Sequence, residues 1–568
     1  MSDLKREGAS DTAGGDWDVI YTTSFPVINA GIVAANSTPT EQFDPQIGNS
    51  PSDTSYRKIT GTFGDVQATT RTGHWQLATG GSGRRVWMTL PDIRFTYEKH
   101  GQPDVQYTNC VLKISFNMEF RPTNRLAKGG GVIHELRIKT NADGENSFID
   151  FEDYSSSPTP ATADEITIKD LFSTWLEANM DKFDHVFAEV VKDDVSDVPK
   201  FQWMQPTALG YGVNDTEETA ELATGFLAIS TMTENRAAPK AIIVPDAVLP
   251  AGKTGSFLVS SERFMDKMLR PGIGNMFDDP TATPGGGNPN KVWPEGYFDI
   301  VGGNTLTNNE DLTINSFEYS ETEAAVPATL EANNLTVVLS NKFLTFNMFQ
   351  LKHSYGFLVD VTHDMRVFLE ARLNDKKQFD LTPALDPELE EIAFHNPQGQ
   401  KSDAAKTIDW ILLFLDIAAL FTIVGEISGW MRAEEGAVDV AEDEASASRT
   451  DRVKTDPKQP KPTRKGTKKI EMKGGEPATG AKKTSIGNIL WGTIVSLKGA
   501  AVATMSAVLV AKQVYEAYRE GEAEDTLPEF GEFAATVMDP IAWNNEGRNF
   551  NVTEARFEDG FLAIGEDA

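Results

Sequence analysis

Residues 110–120 read CVLKISFNMEF, and this run limits the fold more than any other stretch of the chain. Leu112, Ile114, Phe116, Met118 and Phe120 fall on one side of an extended backbone, and Val111, Lys113, Ser115, Asn117 and Glu119 fall on the other. A period of two belongs to a β-strand with one greasy face and one mostly wet face; a helix of about 3.6 residues per turn does not reproduce it. At about 3.3 Å per residue such a run reaches about 36 Å. The neighbouring VWMTLPDIRFTY alternates in the same way. Long antiparallel strands with one apolar face predict a large curved sheet that wraps around something.

The stretch before these strands, GHWQLATGGSGRRVWMTLP at 73–91, poses a choice between a phosphate-cradling loop and a hairpin. A Walker loop needs GxxxxGK[ST], and the dinucleotide fingerprint needs GxGxxG between a strand and a helix. Neither spacing is present. Trp75, Leu77 and Thr79 alternate on one side of the glycines, as do Val86, Met88 and Leu90 on the other. Strand, glycine cluster and strand make a hairpin, with Gly80 and Gly81 supplying the positive φ of the turn and Arg84 and Arg85 solvated at its tip.

Helices are expected beside the strands. WDVIYTTSFPVINAGIVAA reads as a strand and then a helix, with Ser24 as cap, Pro26 in the first turn and Phe25, Ile28 and Ile32 on one stripe. TIKDLFSTWLEANMDKF gives an amphipathic helix through Ile168, Leu171, Phe172, Trp175, Leu176, Met180 and Phe183, opened by a capping-box-like Thr167 and Asp170. A strand, a Ser260-capped helix and a Pro271 stop follow, then alternating strands over about 297–380 and a return to strand character in FNVTEARFEDGFLAIG.

Two further segments, 408–431 and 485–518, are strongly apolar and helical in pattern. Asp409, Asp416 and Glu426 interrupt the first and Lys498 the second. A central Asp costs about 2.5–3.5 kcal/mol on insertion scales. Packing within a soluble fold is therefore the expectation, with transient membrane contact as the alternative. The low-complexity 433–483 between them, acidic and then basic, is expected to be a disordered tether.

Composition excludes some functions. With 52 basic and 84 acidic side chains the formal charge is −32, the wrong sign for a nucleic-acid grip. The histidines lack ligand spacing, so neither a metal nor another cofactor is expected. Cys110 stands alone in an alternating strand and reads as a small buried hydrophobe. No GxSxG elbow occurs, and the chain reads as no enzyme. The polar start predicts a cytoplasmic protein of the producing cell, or one exported without a cleavable signal peptide.

Three stretches together, GDWDVIYTTSFPVINAGI, WQLATGGSGRRVWMTLP and GSFLVSSERFMDKMLRPGI, give the chain a family likeness. It resembles the bacterial OrfX and forty-seven-kilodalton accessory proteins encoded beside clostridial neurotoxins, and their homologues in other, including insecticidal, toxin clusters. The resemblance implies the tubular lipid-binding (TULIP) fold. The expected class is then α+β, with two modules, each a highly curved antiparallel sheet wrapped around long helices, and a C-terminal apolar helical pair.

The division implied is a leader (1–15), a first module (16–245), a second module (246–400), an apolar helix (401–432), the linker (433–483), a second apolar helix (484–525) and a closing strand (526–568). Phe25, Ile28 and Ile32, and Phe264, Met265 and Met268, would face the sheet interiors as lipid-binding candidates or simply fill the core. The function implied is a non-enzymatic carrier of lipid or another apolar ligand that assists a toxin's delivery or assembly. A scaffold for the toxin or sister accessory proteins, its tubes closed by side chains, is the rival.

Overall fold

The computed structural model describes residues 17–64, 72–140, 149–195, 199–239, 248–270 save 251, 296–317, 326–355, 359–373, 379–383, 541–543, 551–558 and 560–567, with 244, 273 and 277 as isolated positions. The chain opens with β1 (Val19–Ser24), α1 (Phe25–Ala35), β2 (Gln46–Ile47), β3 (Arg57–Phe63), β4 (Gln76–Ser82), β5 (Arg85–Lys99) and β6 (Val105–Phe116). It continues through β7 (Met118–Leu126), β8 (Val132–Ile138), β9 (Asp150–Ser157), α2 (Thr162–Asn179), β10 (Ala188–Lys192), β11 (Pro206–Val213), β12 (Phe226–Thr233), β13 (Gly255–Ser260) and α3 (Ser261–Arg263). A π-helical turn, Phe264–Leu269, extends α3. Then come β14 (Phe298–Val301), β15 (Thr305–Asn308), β16 (Leu312–Phe317), β17 (Val326–Leu330), β18 (Leu335–Leu339) and β19 (Leu344–Tyr355). The remaining strands are β20 (Val359–Leu373), β21 (Phe379–Pro383), β22 (Ile541–Trp543), β23 (Asn551–Glu558) and β24 (Phe561–Asp567).

Four antiparallel sheets result. One runs β11-β12-β1-β13-β24-β23, one β22-β10-β8-β7, and one is built on β2-β3-β5-β6-β9 with β4 beside β5. The fourth runs β14-β15-β18-β19-β17-β16, with β20 and β21 continuing from β19. The alternation of 110–120 survives as burial, since Cys110, Leu112, Ile114, Phe116 and Met118 are all buried. The run is not one strand, however. It changes sheets at Asn117, between β6 and β7, and the Met118 N–H at this corner donates to the Tyr211 hydroxyl at 2.7 Å.

These facts correct the expected fold class. The described residues are dominated by strands rather than α+β, and among them no sheet is wrapped around a long helix. The physical reason is that the buried faces of the sheets pack mainly on one another's side chains, in one large apolar cluster and a second, smaller one that includes Ile20, Phe226 and Leu258, so little helix is needed to cover them. The two apolar segments 408–431 and 485–518, the expected C-terminal helical pair, lie outside the described residues, as does the linker 433–483. Among the described residues no helix is long and apolar enough to cross a membrane.

Local expectations were met unevenly. α1 has Pro26 in its first turn, but Ser24 makes no side-chain cap bond. α2 begins at Thr162, ahead of the expected Thr167 cap, and Thr167 instead bonds back to the Ala163 carbonyl from within the helix. The GGSG stretch is a hairpin, yet its glycines are divided. Gly80, at φ 109°, lies where the β4–β5 register shifts between Ala78 and Ser82, while Gly83, at φ 56°, makes the turn. Arg85 is not simply solvated, because it pairs with Asp150 at 2.5 Å and Glu152 at 3.0 Å.

Candidate apolar-ligand site

The two candidate helices leave the central sheet from adjacent strands. β1 and β13 pair antiparallel with Tyr21 opposite Phe257. The Ser24 N–H donates to the Thr254 carbonyl at 2.8 Å, and the Ser260 N–H donates to the Asp18 carbonyl at 2.9 Å. These bonds are equivalent under a local two-fold through the Tyr21–Phe257 pair. Each strand therefore hands its chain to a helix at an opposite end of the same seam. Thr22 and Ser256 close the seam on the other face, with hydroxyl oxygens 2.5 Å apart.

On α1, Phe25, Ile28 and Ile32 sit at helical spacing and are 2%, 0% and 0% exposed. The helix is held to β4 by Asn29, whose amide oxygen accepts from the Leu77 N–H at 2.7 Å and whose amide nitrogen donates to the Leu77 carbonyl at 3.2 Å. Asn29 thus takes the place of a missing neighbouring strand. Phe25 fills the space above Gly225, where an added Cβ would come within 2.3 Å of its ring. Beyond β13, the π-turn buries Phe264, Met265 and Met268 completely, and the Phe264 ring meets Phe557 edge-on at 5.3 Å. All six candidates belong to the same apolar cluster, although they enter it as two separate groups of three.

The seam ends in a buried charge network that sequence reasoning missed. Asp18 is 1% exposed and accepts from the Thr233 N–H at 2.8 Å and the Thr233 hydroxyl at 2.9 Å, and it pairs with Arg236. Arg263, also buried, bonds Glu234 at 2.5 Å and lies over the Trp203 ring at 5.4 Å. Lys267 adds a second cation to Glu234 at 2.9 Å. Burial works against ionisation of Glu234, but the hydrogen bonds from Arg263 and Lys267 win and hold its carboxyl below the usual range. The available signal was a charge inside an apolar run, the Asp of WDVIY.

The chemistry around these residues is structural. Burial pushes the Cys110 thiol up to about 12, so it stays protonated and unreactive at neutral pH. Among the described residues no group of three or more His, Cys, Asp or Glu side chains is placed to hold a metal ion. The six candidates can offer an apolar surface and nothing that makes or breaks a bond.

Comparison with known proteins gives a consistent result. A family model described as "OrfX-like: Protein OrfX2/OrfX3/P47" matches residues 13–334. Protein OrfX3 of Paraclostridium bifermentans is 23% identical over 300 residues, 48% of this chain and 57% of that protein. The match thus spans little more than half the length of that curated relative. Among solved structures, P47 from Clostridium botulinum A2 aligns over 98% of both chains with a TM-score of 0.52 at 14% identity, which shows a shared fold. P47 of Clostridium botulinum E1 aligns over 72% of this chain and 89% of its own with a TM-score of 0.47 at 15% identity.

Proposed function

We propose, from the premise that this chain belongs to the OrfX-like family of OrfX2, OrfX3 and P47, that it is a non-enzymatic accessory protein of a bacterial toxin cluster. It works through contacts with the toxin or with sister accessory proteins. The observation that supports this reading is the filling of the interior by aromatic side chains. Phe43 has the rings of Phe63, Phe172 and Trp175 at 5.0, 5.3 and 6.0 Å, and Phe63 has Phe183 at 5.6 Å. Rings at these separations are in contact and occupy space that an acyl chain would need.

Carriage of a lipid or other apolar ligand is the second reading. It is favoured by the continuity of the cluster that joins Phe25, Ile28 and Ile32 with Phe264, Met265 and Met268. Flexible methionines such as Met265 and Met268 repack readily around an apolar guest. Native mass spectrometry of the gently purified chain separates the two. The scaffold reading expects the mass of the polypeptide alone, together with a complex when the toxin or a sister protein from the same cluster is added. A stoichiometric lipid adduct, lost on Ile28→Trp, would establish carriage instead.

A further inference from the structure

A cavity of about 560 Å³ opens at the end of the seam, between α3 with its π-turn and the turn joining β14 to β15. None of the six apolar candidates lines it. Trp17 and Phe561 give it an apolar strip, and Ser261, Glu262, Asp266 and Arg270 form one polar wall. Gly302 and Gly303 lie opposite, with φ of 63° and 76°. We propose that this cavity binds a neutral polyhydroxylated ligand, a saccharide unit.

Charge decides the ligand class. Glu262 pairs with Arg236 at 2.7 Å, and Asp266 pairs with Lys267 at 3.4 Å and with Arg270. An ionic ligand would find each of these charges already offset by its partner, which leaves little net charge to attract it. A neutral ligand leaves all of them intact and uses what they leave over. A carboxylate has about four lone-pair sites and a guanidinium five N–H donors, so each paired group retains hydrogen-bonding capacity. The Ser261 hydroxyl, on a residue 5% exposed, can both donate and accept. Acceptors, a donor and a hydroxyl side by side match a row of sugar hydroxyls, each of which must do both.

Backbone geometry keeps the site open. The π-turn carries Asp266, and Arg270 follows directly after it; single π-turns are uncommon and recur at functional sites because they re-aim side chains. A Cβ at Gly303 would lie 3.6 Å from that of Glu262, so any side chain there would grow across the mouth. The volume lies within the range of small-ligand pockets, roughly 300–1,000 Å³.

Saturation-transfer NMR on the full chain with a panel of methyl pyranosides tests the assignment. At least one glycoside should bind saturably, with Kd on the order of 1 mM. Gly303→Asn suits the left-handed backbone and obstructs the mouth, and it should weaken binding at least about tenfold. Glu262→Gln should do likewise, while Glu218→Gln, on a distant loop, should change nothing. Methyl phosphate and tetramethylammonium should not bind. Failure of every glycoside, binding indifferent to both cavity variants, or tighter binding of either ion would overturn the proposal.

Discussion

The rings of Tyr21 and Phe257 lie 5.1 Å apart across the β1–β13 seam, at the centre of the local two-fold that relates the two strand-to-helix exits. Both are essentially unexposed. Truncating either to Ala should cost about 3–5 kcal/mol, the range for large aromatic deletions in cores. The contact itself should appear as a coupling of about 0.5–1.5 kcal/mol in a double-mutant cycle. Urea unfolding of the four species measures it, and additive losses would mean that the rings merely share a core.

Gly80 is irreplaceable for two reasons. Its φ of 109° resists any β-branched residue, and an added Cβ would come within 2.4 Å of the Trp87 ring. Gly80→Val should therefore lower the melting temperature clearly. Arg85→Gln loses partly exposed ion pairs and the bond from its Nε to the buried Ser115 hydroxyl, and should cost about 1–2 kcal/mol. Differential scanning calorimetry of both variants checks the contrast.

Asn29 joins α1 to β4 through both of its amide groups. Asn29→Ala strands the buried Leu77 N–H and carbonyl, at an expected cost of about 1–3 kcal/mol. Asn29→Asp retains the acceptor but loses the donor and buries a charge, so it should be no better. Chemical denaturation of the two variants gives the ranking.

Glu234 gives the fold an acid sensitivity. Its carboxyl is held below the ordinary value, so the unfolded chain takes up a proton at higher pH than the folded one. The stabilisation is complete above the unfolded value and is lost as pH falls through the folded one. Glu234→Gln, which cannot titrate, should show a shallower loss of stability between about pH 5 and 3. Urea midpoints across that interval measure the slope, and parallel curves for both proteins would disprove the linkage.

How far this architecture can be read from sequence depends on the range of the forces involved. The alternation through Leu112, Ile114 and Phe116 is local and survives in the fold as burial. Helix α1 was visible from Pro26 and its apolar stripe. What remained hidden was the partner of each face. Nothing near Asn117 announces that the chain changes sheets there, because the corner is held by Tyr211, far away in sequence. The balance of strand over helix was misjudged for the same reason, since sheet-to-sheet burial depends on contacts between distant strands. The polar cavity was equally invisible, being assembled from Trp17, the π-turn and Phe561.

The pairing of β13 with β24 sets Ser260 opposite Phe561, roughly 300 residues further along the chain. A ribosome adding about 5–20 residues per second needs about 15–60 s to cover that interval. Throughout it, the edge of β13 that will receive β24 has no cognate strand, while β1 is already available on its other side. A nascent chain in this condition carries an open template for strand addition. Its yield in a producing cell should depend on whatever shields that edge during synthesis, and slowing translation upstream of β24 should cost more soluble protein than slowing it afterwards.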